Sequence, residues 1–180
     1  LVYEGGMDAV KKNMGDFSGM KNVGCAFPIG EVFTEPLDLA KVNGEVMIYA
    51  FADENHKVVF PEKSFKLIVK EGCIEPVDAP IEFENVVKML RTENEDGLIR
   101  VREFGLGLNH GLSKTKRLTD ISAFERVAGL HISLGLKHDI YRKKVSDKKV
   151  QRFHVDIFPD IKSIKVDEVN IFDKGDFLIP

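Results

Sequence analysis

Cysteine is scarce in this sequence, and long apolar runs are missing from it. Its 180 residues include two cysteines, Cys25 and Cys73, which lie far apart and without CxxC spacing. This spacing excludes a zinc knuckle and a disulfide framework, so we expect two buried free thiols and a cytoplasmic protein. No apolar stretch approaches the roughly 18 residues that a membrane span needs, so we expect no membrane partner.

Strong charge of one sign is also missing. The formal net charge is -3, from 26 basic and 29 acidic residues, and no basic run is interleaved with aromatic residues. This balance argues against a nucleic-acid partner. Apolar residues make up 43% of the chain and charged residues 31%, which is typical of a soluble globular protein.

Strand-like segments dominate the chain, and helical periodicity is confined to two places. Apolar residues recur at every third or fourth position between Phe83 and Leu90, which predicts a helix of about three turns. Thr119 or Asp120 can cap a second short helix that ends near Val127, with Glu125 on its surface. Strands are predicted over residues 45–52, 57–60, 64–69, 74–77, 98–103, 130–136, 151–158, 164–166, 169–172 and 177–179. This order predicts an α+β fold with mixed, strand-rich sheets and two or three short helices.

One predicted strand carries two potential metal ligands. Phe153, Val155 and Ile157 alternate with His154 and Asp156. Two positions along a strand rise about 7 Å and place both side chains on the same face. An imidazole and a carboxylate there can converge on one cation. A solvated strand face has the same pattern, so the pair needs support from elsewhere in the chain.

Glu103 is a carboxylate in an apolar context. Alternation along the strand places it in phase with Ile99 and Val101, on a face that should be buried. A buried carboxylate needs a partner, because burying it unpaired costs several kcal/mol or forces it to protonate. Arg100 and Arg102 are near but lie on the opposite face, which leaves a metal ion as an alternative partner.

Three other features of the sequence could belong to the same site: a glutamate, a histidine and a pair of glycines. A turn that follows an apolar run presents Glu31, either to solvent or to a site. His131 lies on the polar face of the strand over 130–136, where a hydrogen-bonded structural histidine is the commoner case. Gly105 and Gly107 indicate close approach of other groups, but they do not form a phosphate-binding fingerprint.

Four segments of the chain resemble the M29 metallo-aminopeptidases, the thermophilic metalloproteases similar to aminopeptidase T. Residues 30–36 (GEVFTEP), 103–109 (EFGLGLN), 129–135 (GLHISLG) and 154–156 (HVD) resemble that family's segments GEVFTxP, ELGxGxN, GxxHIALG and HxD. The segments stand in the family's order. The resemblance runs from about residue 22 to the end of the chain.

The resemblance implies a dinuclear centre of Zn, Co or Mn. Its ligands, carried over position by position, would be Glu31, Glu103, His131, His154 and Asp156. Two such metals can clamp a tetrahedral intermediate while a metal-bound water attacks the carbonyl carbon. One of the glutamates would instead serve as a proton shuttle. The implied protein is a homodimeric aminopeptidase that removes N-terminal residues from a peptide substrate.

The chain departs from the family pattern in two places. The family has a tyrosine seven residues after its first histidine ligand, where this chain has His138 and, three residues later, Tyr141. Either side chain could donate a hydrogen bond to the transition-state oxyanion. The family also has an α/β domain before the metal domain, and this sequence begins without a methionine. We therefore expect a truncated chain, with residues 1–21 as an N-terminal segment and residues 22–180 as the metal-binding catalytic domain.

Two other functions are compatible with the same residues. His131, His154 and Asp156 can form the triad of two histidines and one carboxylate that holds a single Fe(II). Ring-cleaving dioxygenases similar to 2,5-dihydroxypyridine dioxygenase use the same scaffold as the family. That function leaves Glu103 unexplained, which favours the two-metal hydrolase at this point. The third alternative is a non-catalytic remnant that still binds metal.

Overall fold

The computed structural model describes residues 1–19, 21, 27–94, 96–116, 118–137, 141 and 153–178. Its strands, in chain order, are β1 (Val2–Tyr3), β2 (Lys11–Asn13), β3 (Glu31–Thr34), β4 (Val42–Ala52), β5 (Val58–Val59), β6 (Phe65–Lys70), β7 (Cys73–Val77), β8 (Val101–Gly107), β9 (Gly129–Gly135), β10 (His154–Pro159), β11 (Ser163–Val166), β12 (Val169–Asp173) and β13 (Asp176–Phe177). Its helices are α1 (Ile81–Arg91), α2 (Ile121–Phe124) and a 3-10 turn at Leu39–Lys41. The predicted strand-rich α+β fold is confirmed at this level.

The strands form a large sheet and a small one. The large sheet has the order β2-β3-β8-β9-β10-β4-β6-β7, and β1 and β5 also pair with β4. The small sheet has the order β11-β12-β13. Every named strand pair in the described part of the chain is antiparallel. The prediction of mixed sheets is therefore wrong, and the short turn between β6 and β7 shows why, since only antiparallel neighbours can be joined so tightly.

Helix α1 covers one face of the large sheet. Its buried residues, at the predicted spacing, are Phe83, Val86, Val87 and Leu90. The ring of Phe83 lies 5.1 Å from that of Phe51 and 4.7 Å from that of Phe65, measured between centroids. The residues of β9 and β10 in the same core cluster are Ile132, Leu134, Val155 and Ile157. The polar residues that alternate with them therefore face away from this core.

A second core lies under the small sheet. Ile164 of β11 and Phe172 of β12 pack against Leu106 of β8. The small sheet thus covers the apolar side of β8, and the other side of that strand is left for polar residues.

Several predictions are only partly tested by the fold. None of the helices in the described ranges is long and apolar enough to cross a membrane. Cys73 is a free thiol that is only partly buried, and Cys25 lies outside the described residues. Strands β1 and β2 pair with β4 and β3. The domain division at residue 21, the cytoplasmic location and the homodimer stay predictions.

Candidate metal centre

The five predicted ligands come together on one face of four adjacent strands, β3, β8, β9 and β10. The strand registers place Glu31 opposite Gly107 and Gly105 opposite His131. They also place Asp156 opposite Ser133, two residues along β9 from His131. The potential ligands on this face are Glu31, Glu103, His131, His154 and Asp156.

A β-bulge brings Glu103 to this face. Val101 pairs with Leu134, and Phe104 pairs with Ile132. Three steps along β8 therefore match only two steps along β9. The extra residue in β8 reverses the alternation, so Glu103 lies on the opposite face from Val101. The prediction that Glu103 continues the apolar face of Val101 is therefore wrong. The backbone N–H of Glu103 leaves the ladder and donates to Ser133 Oγ at 2.9 Å.

Gly105 makes room for the imidazole of His131. A Cβ atom at Gly105 would lie 2.0 Å from His131 Nε2. Across this gap, Nε2 lies 3.2 Å from Glu31 Oε1 and 3.3 Å from Glu103 Oε1. All three residues are buried, and their ligand atoms lie within 4.8 Å of one another. This group can bind a metal ion.

His154 and Asp156 form a second pair on the neighbouring strand. His154 Nε2 lies 3.2 Å from Asp156 Oδ1, and His154 Nδ1 lies 3.4 Å from the carbonyl oxygen of Leu136. Two ligand atoms bound at right angles to one metal, with bonds of about 2.1 Å, are about 3 Å apart. The pair therefore already has the separation of adjacent ligands.

The charges of the site stabilise protonated histidines. Burial opposes the charge of His131, but hydrogen bonds to Glu103 and Glu31 raise its pKa well above the ordinary value. Burial likewise opposes the charge of His154, but Asp156 raises its pKa to about 10. Burial would raise the pKa of Asp156, but the charge of His154 holds it below its usual range. A metal ion would replace these protons, because an imidazole must be neutral to act as a ligand.

Two residues beside the site, Glu125 and Arg126, were not among the predicted site residues. Arg126 is only 4% exposed, and its Nη2 lies 2.9 Å from Glu31 Oε2. Its Nη1 contacts Glu125 Oε2. Burial, and next the charge of Asp156, raises the pKa of Glu125 to about 9. The prediction that Glu125 lies on a helix surface is wrong, because α2 ends at Phe124.

Gly107 is the sequence signal that points to these two residues. A Cβ atom at Gly107 would lie 2.1 Å from the carbonyl oxygen of Val127 and 2.5 Å from that of Glu125. The backbone N–H of Asn109 donates to the carbonyl oxygen of Arg126 at 2.9 Å. The segment after α2 thus lies directly on β8. The expected close approach at both glycines is confirmed.

The remaining predicted residues are His138 and Tyr141. His138 lies outside the described residues. The hydroxyl of Tyr141 donates to the carbonyl oxygen of Ala9 at 2.8 Å and lies 3.3 Å from that of Phe33. Burial raises the pKa of Tyr141 to about 12. A part for either residue in catalysis stays a prediction.

Comparison with known proteins gives a structural match without a sequence match. No family model and no curated protein matches the chain. The chain is similar to the solved structure of 2,5-dihydroxypyridine dioxygenase from Pseudomonas putida KT2440, with a TM-score of 0.60 and 17% sequence identity. The match covers 83% of this chain and 44% of the other, so this chain spans less than half the length of its neighbour. At this identity the likeness shows the fold.

This match corrects the expected family and activity. The structural neighbour is a dioxygenase, hence an oxidoreductase, whereas an M29 metallo-aminopeptidase is a hydrolase. The expectation of a metalloprotease that cleaves peptides is therefore wrong. The motifs misled because they describe a set of carboxylates and imidazoles on adjacent strands. Such a set suits several divalent metals and more than one kind of reaction.

Proposed function

We propose that this chain carries the metal centre of a mononuclear Fe(II) dioxygenase that cleaves a dihydroxylated aromatic ring, such as a dihydroxypyridine. The observation that carries the proposal is that His131, His154 and Asp156 lie on the same face of β9 and β10. Two histidines and one carboxylate with open coordination positions are the ligand set of Fe(II) oxygenases. The fold of the structural neighbour supports the same assignment.

One metal ion fits these residues better than two. Glu31 is already paired with Arg126 through Oε2, so only its other oxygen faces His131. The Nδ1 atom of His131 is buried and has no hydrogen-bond partner among the described residues. Its Nε2 atom points at carboxylates. A buried imidazole that turns one nitrogen towards anions is suited to hold a cation there.

The side chains around the centre supply proton transfer and orientation. Bound Fe(II) would supply the one-electron chemistry that allows O2 to react with an aromatic ring. Glu103 Oε1 borders the centre at 3.3 Å from His131 Nε2, so this carboxylate can accept the proton that a ring hydroxyl loses on binding. Arg126 holds Glu31 in place. Glu103 then borders the ion, in the group with Glu31 and His131 that can bind a metal.

The reaction balances without an added reductant. The ring supplies four electrons, which reduce both atoms of O2. The O–O bond and one ring C–C bond break, and each of the two carbon atoms gains one oxygen atom. The product is an open chain, and the only co-substrate is O2.

Oxygen uptake tests the proposal. Protein reconstituted with Fe(II) without air is mixed with 2,5-dihydroxypyridine, and both O2 consumption and the ring absorbance are followed. We expect one O2 consumed per ring opened, no turnover with Zn(II), and none with His154→Gln. The control is His56→Asn, at an exposed turn residue with a φ of 59°, which should match the wild type. Iron-loaded wild type that consumes no O2 with this or other dihydroxylated rings would contradict the proposal.

A further inference from the structure

Arg126 is a buried cation whose part in the proposed reaction is limited to holding Glu31. Its guanidinium joins two carboxylates, Glu31 at 2.9 Å from Nη2 and Glu125 at Nη1. Its Nε atom has no hydrogen-bond partner among the described residues. A buried arginine left with an unsatisfied nitrogen is costly, so its charge must be offset by the carboxylates that it contacts.

The backbone fixes the position of this cation. The carbonyl of Arg126 accepts a hydrogen bond from the N–H of Asn109 at 2.9 Å. Val127 on its far side lies against Gly107, where a side chain would collide with its carbonyl oxygen. The backbone at Arg126 is therefore fixed against β8, the strand that also carries Glu103.

The number of carboxylates around the site indicates how Arg126 affects metal binding. Four carboxylates surround the site, namely Glu31, Glu103, Glu125 and Asp156. Arg126 contacts one oxygen each of the first and the third, which leaves Glu103, Asp156 and the other oxygen of Glu31 to face an added ion among the described residues. Two carboxylates match one divalent charge, and a second divalent ion would need the oxygen atoms that Arg126 now occupies.

We propose that Arg126 takes the place of a second metal ion and thereby limits the site to one. This inference rests on the proposed mononuclear centre. It assigns a cause to the metal count: the guanidinium occupies Oε2 of Glu31 and Oε2 of Glu125, the oxygen atoms that a second ion would need. Removing its charge should free these two carboxylates for a second divalent ion.

The test is a count of bound Zn(II), measured by elemental analysis after gel filtration, which does not depend on activity. We expect one ion per chain in the wild type and in Arg126→Lys, and two in Arg126→Met and Arg126→Gln. The double variant Arg126→Met with Glu31→Gln should return to one ion, because it lacks the carboxylate that the second ion needs. One ion in both uncharged variants would overturn the inference.

The outcomes separate this inference from the proposed function. A wild type that binds two ions contradicts the mononuclear centre itself. A wild type with one ion and uncharged variants with one ion contradict only the role of Arg126. If the uncharged variants fail to fold without metal, Zn(II) added during refolding should restore the fold with two ions bound. Failure of Zn(II) to restore it would also overturn the inference.

Discussion

The imidazole of His131 fills the space above Gly105, so a single added methyl group there should disturb the site. A Cβ atom would lie 2.0 Å from Nε2 and would push the ring out of position. Overpacking of this kind costs about 1–3 kcal/mol, and about 1.4 kcal/mol corresponds to a tenfold change in affinity. We expect Gly105→Ala to weaken metal binding about 5- to 150-fold, as measured by metal titration. Gly111→Ala, at an exposed position, is the control and should bind as tightly as the wild type.

The pair of His154 and Asp156 predicts a pH dependence of the metal-free protein. Asp156 raises the pKa of His154 to about 10, against about 6.5 in an unfolded chain. The folded state therefore binds the proton more tightly. This contribution to the free energy of unfolding is fully present below pH 6.5 and is lost as the pH rises towards 10.

Denaturant unfolding with a chelator present, at several pH values, measures this effect. The wild type should lose stability between pH 6.5 and 10, and His154→Gln should lose distinctly less over the same range. Equal alkaline losses in the two proteins would show that the pair does not have the expected linkage.

The resemblance selected five side chains that lie on one face of the sheet, but it did not predict how these side chains reach that face. The alternation of His154 with Val155 was enough to place the histidine on the polar face. Glu103 was expected on the wrong face, because a β-bulge depends on pairing with another strand and leaves no trace in the periodicity. The contact of Arg126 with Glu31 was not predicted, because the two residues are far apart in sequence.

At the scale of elements, α1 supports the sheet from the face opposite to the metal centre. Phe83 is fully buried against Phe51 and Phe65, whereas Ile81 on the same helix is 64% exposed. Phe83→Ala should lower the free energy of unfolding by about 3–5 kcal/mol, because it leaves a cavity. Denaturant unfolding of Phe83→Ala and of the control Ile81→Ala measures this difference. A similar small loss in both variants would contradict the packing described for α1.

The two helices show why one element was predictable and the other was not. Helix α1 follows its own apolar period, with four buried residues at the expected spacing. Helix α2 has the predicted cap, since Asp120 Oδ1 accepts from the N–H of Ala123 at 2.9 Å. It nevertheless ends at Phe124, because the next residues pair with β8 near Asn109. That contact is tertiary, and local sequence does not encode it.

At the scale of the whole molecule, the centre exists only when distant parts of the chain are paired. Its residues come from strands that begin at positions 31, 101, 129 and 154. Unfolding therefore separates the ligands, so metal should bind the native state alone. Because binding favours the native state, the free energy of unfolding should rise by about 2.7 kcal/mol when the free metal concentration is 100 times the dissociation constant.

Thermal unfolding with Fe(II) under nitrogen, compared with unfolding in a chelator, measures this coupling. The melting temperature should rise with metal in the wild type and stay unchanged in the double variant His131→Gln with His154→Gln. A rise of the same size in both proteins would show that the metal binds elsewhere.

The fold class could be predicted from the sequence, but the reaction could not. The order of strand-like segments was sufficient for the α+β assignment, since each strand carries its own alternation. The same carboxylates and imidazoles suit a hydrolase and an oxygenase, so the residue types alone do not decide between the two reactions. The proposed limit of one metal ion depends on the position of Arg126 beside Glu31, which only the folded chain shows.

The number of Fe(II) ions bound per chain tests the central claim most directly. Anaerobic titration followed by gel filtration and iron analysis should give one ion in the wild type. His154→Gln should lose that ion, whereas Glu31→Gln should keep it. Two ions in the wild type, or one ion that survives His154→Gln and is lost in Glu31→Gln, would contradict a mononuclear centre held by His131, His154 and Asp156.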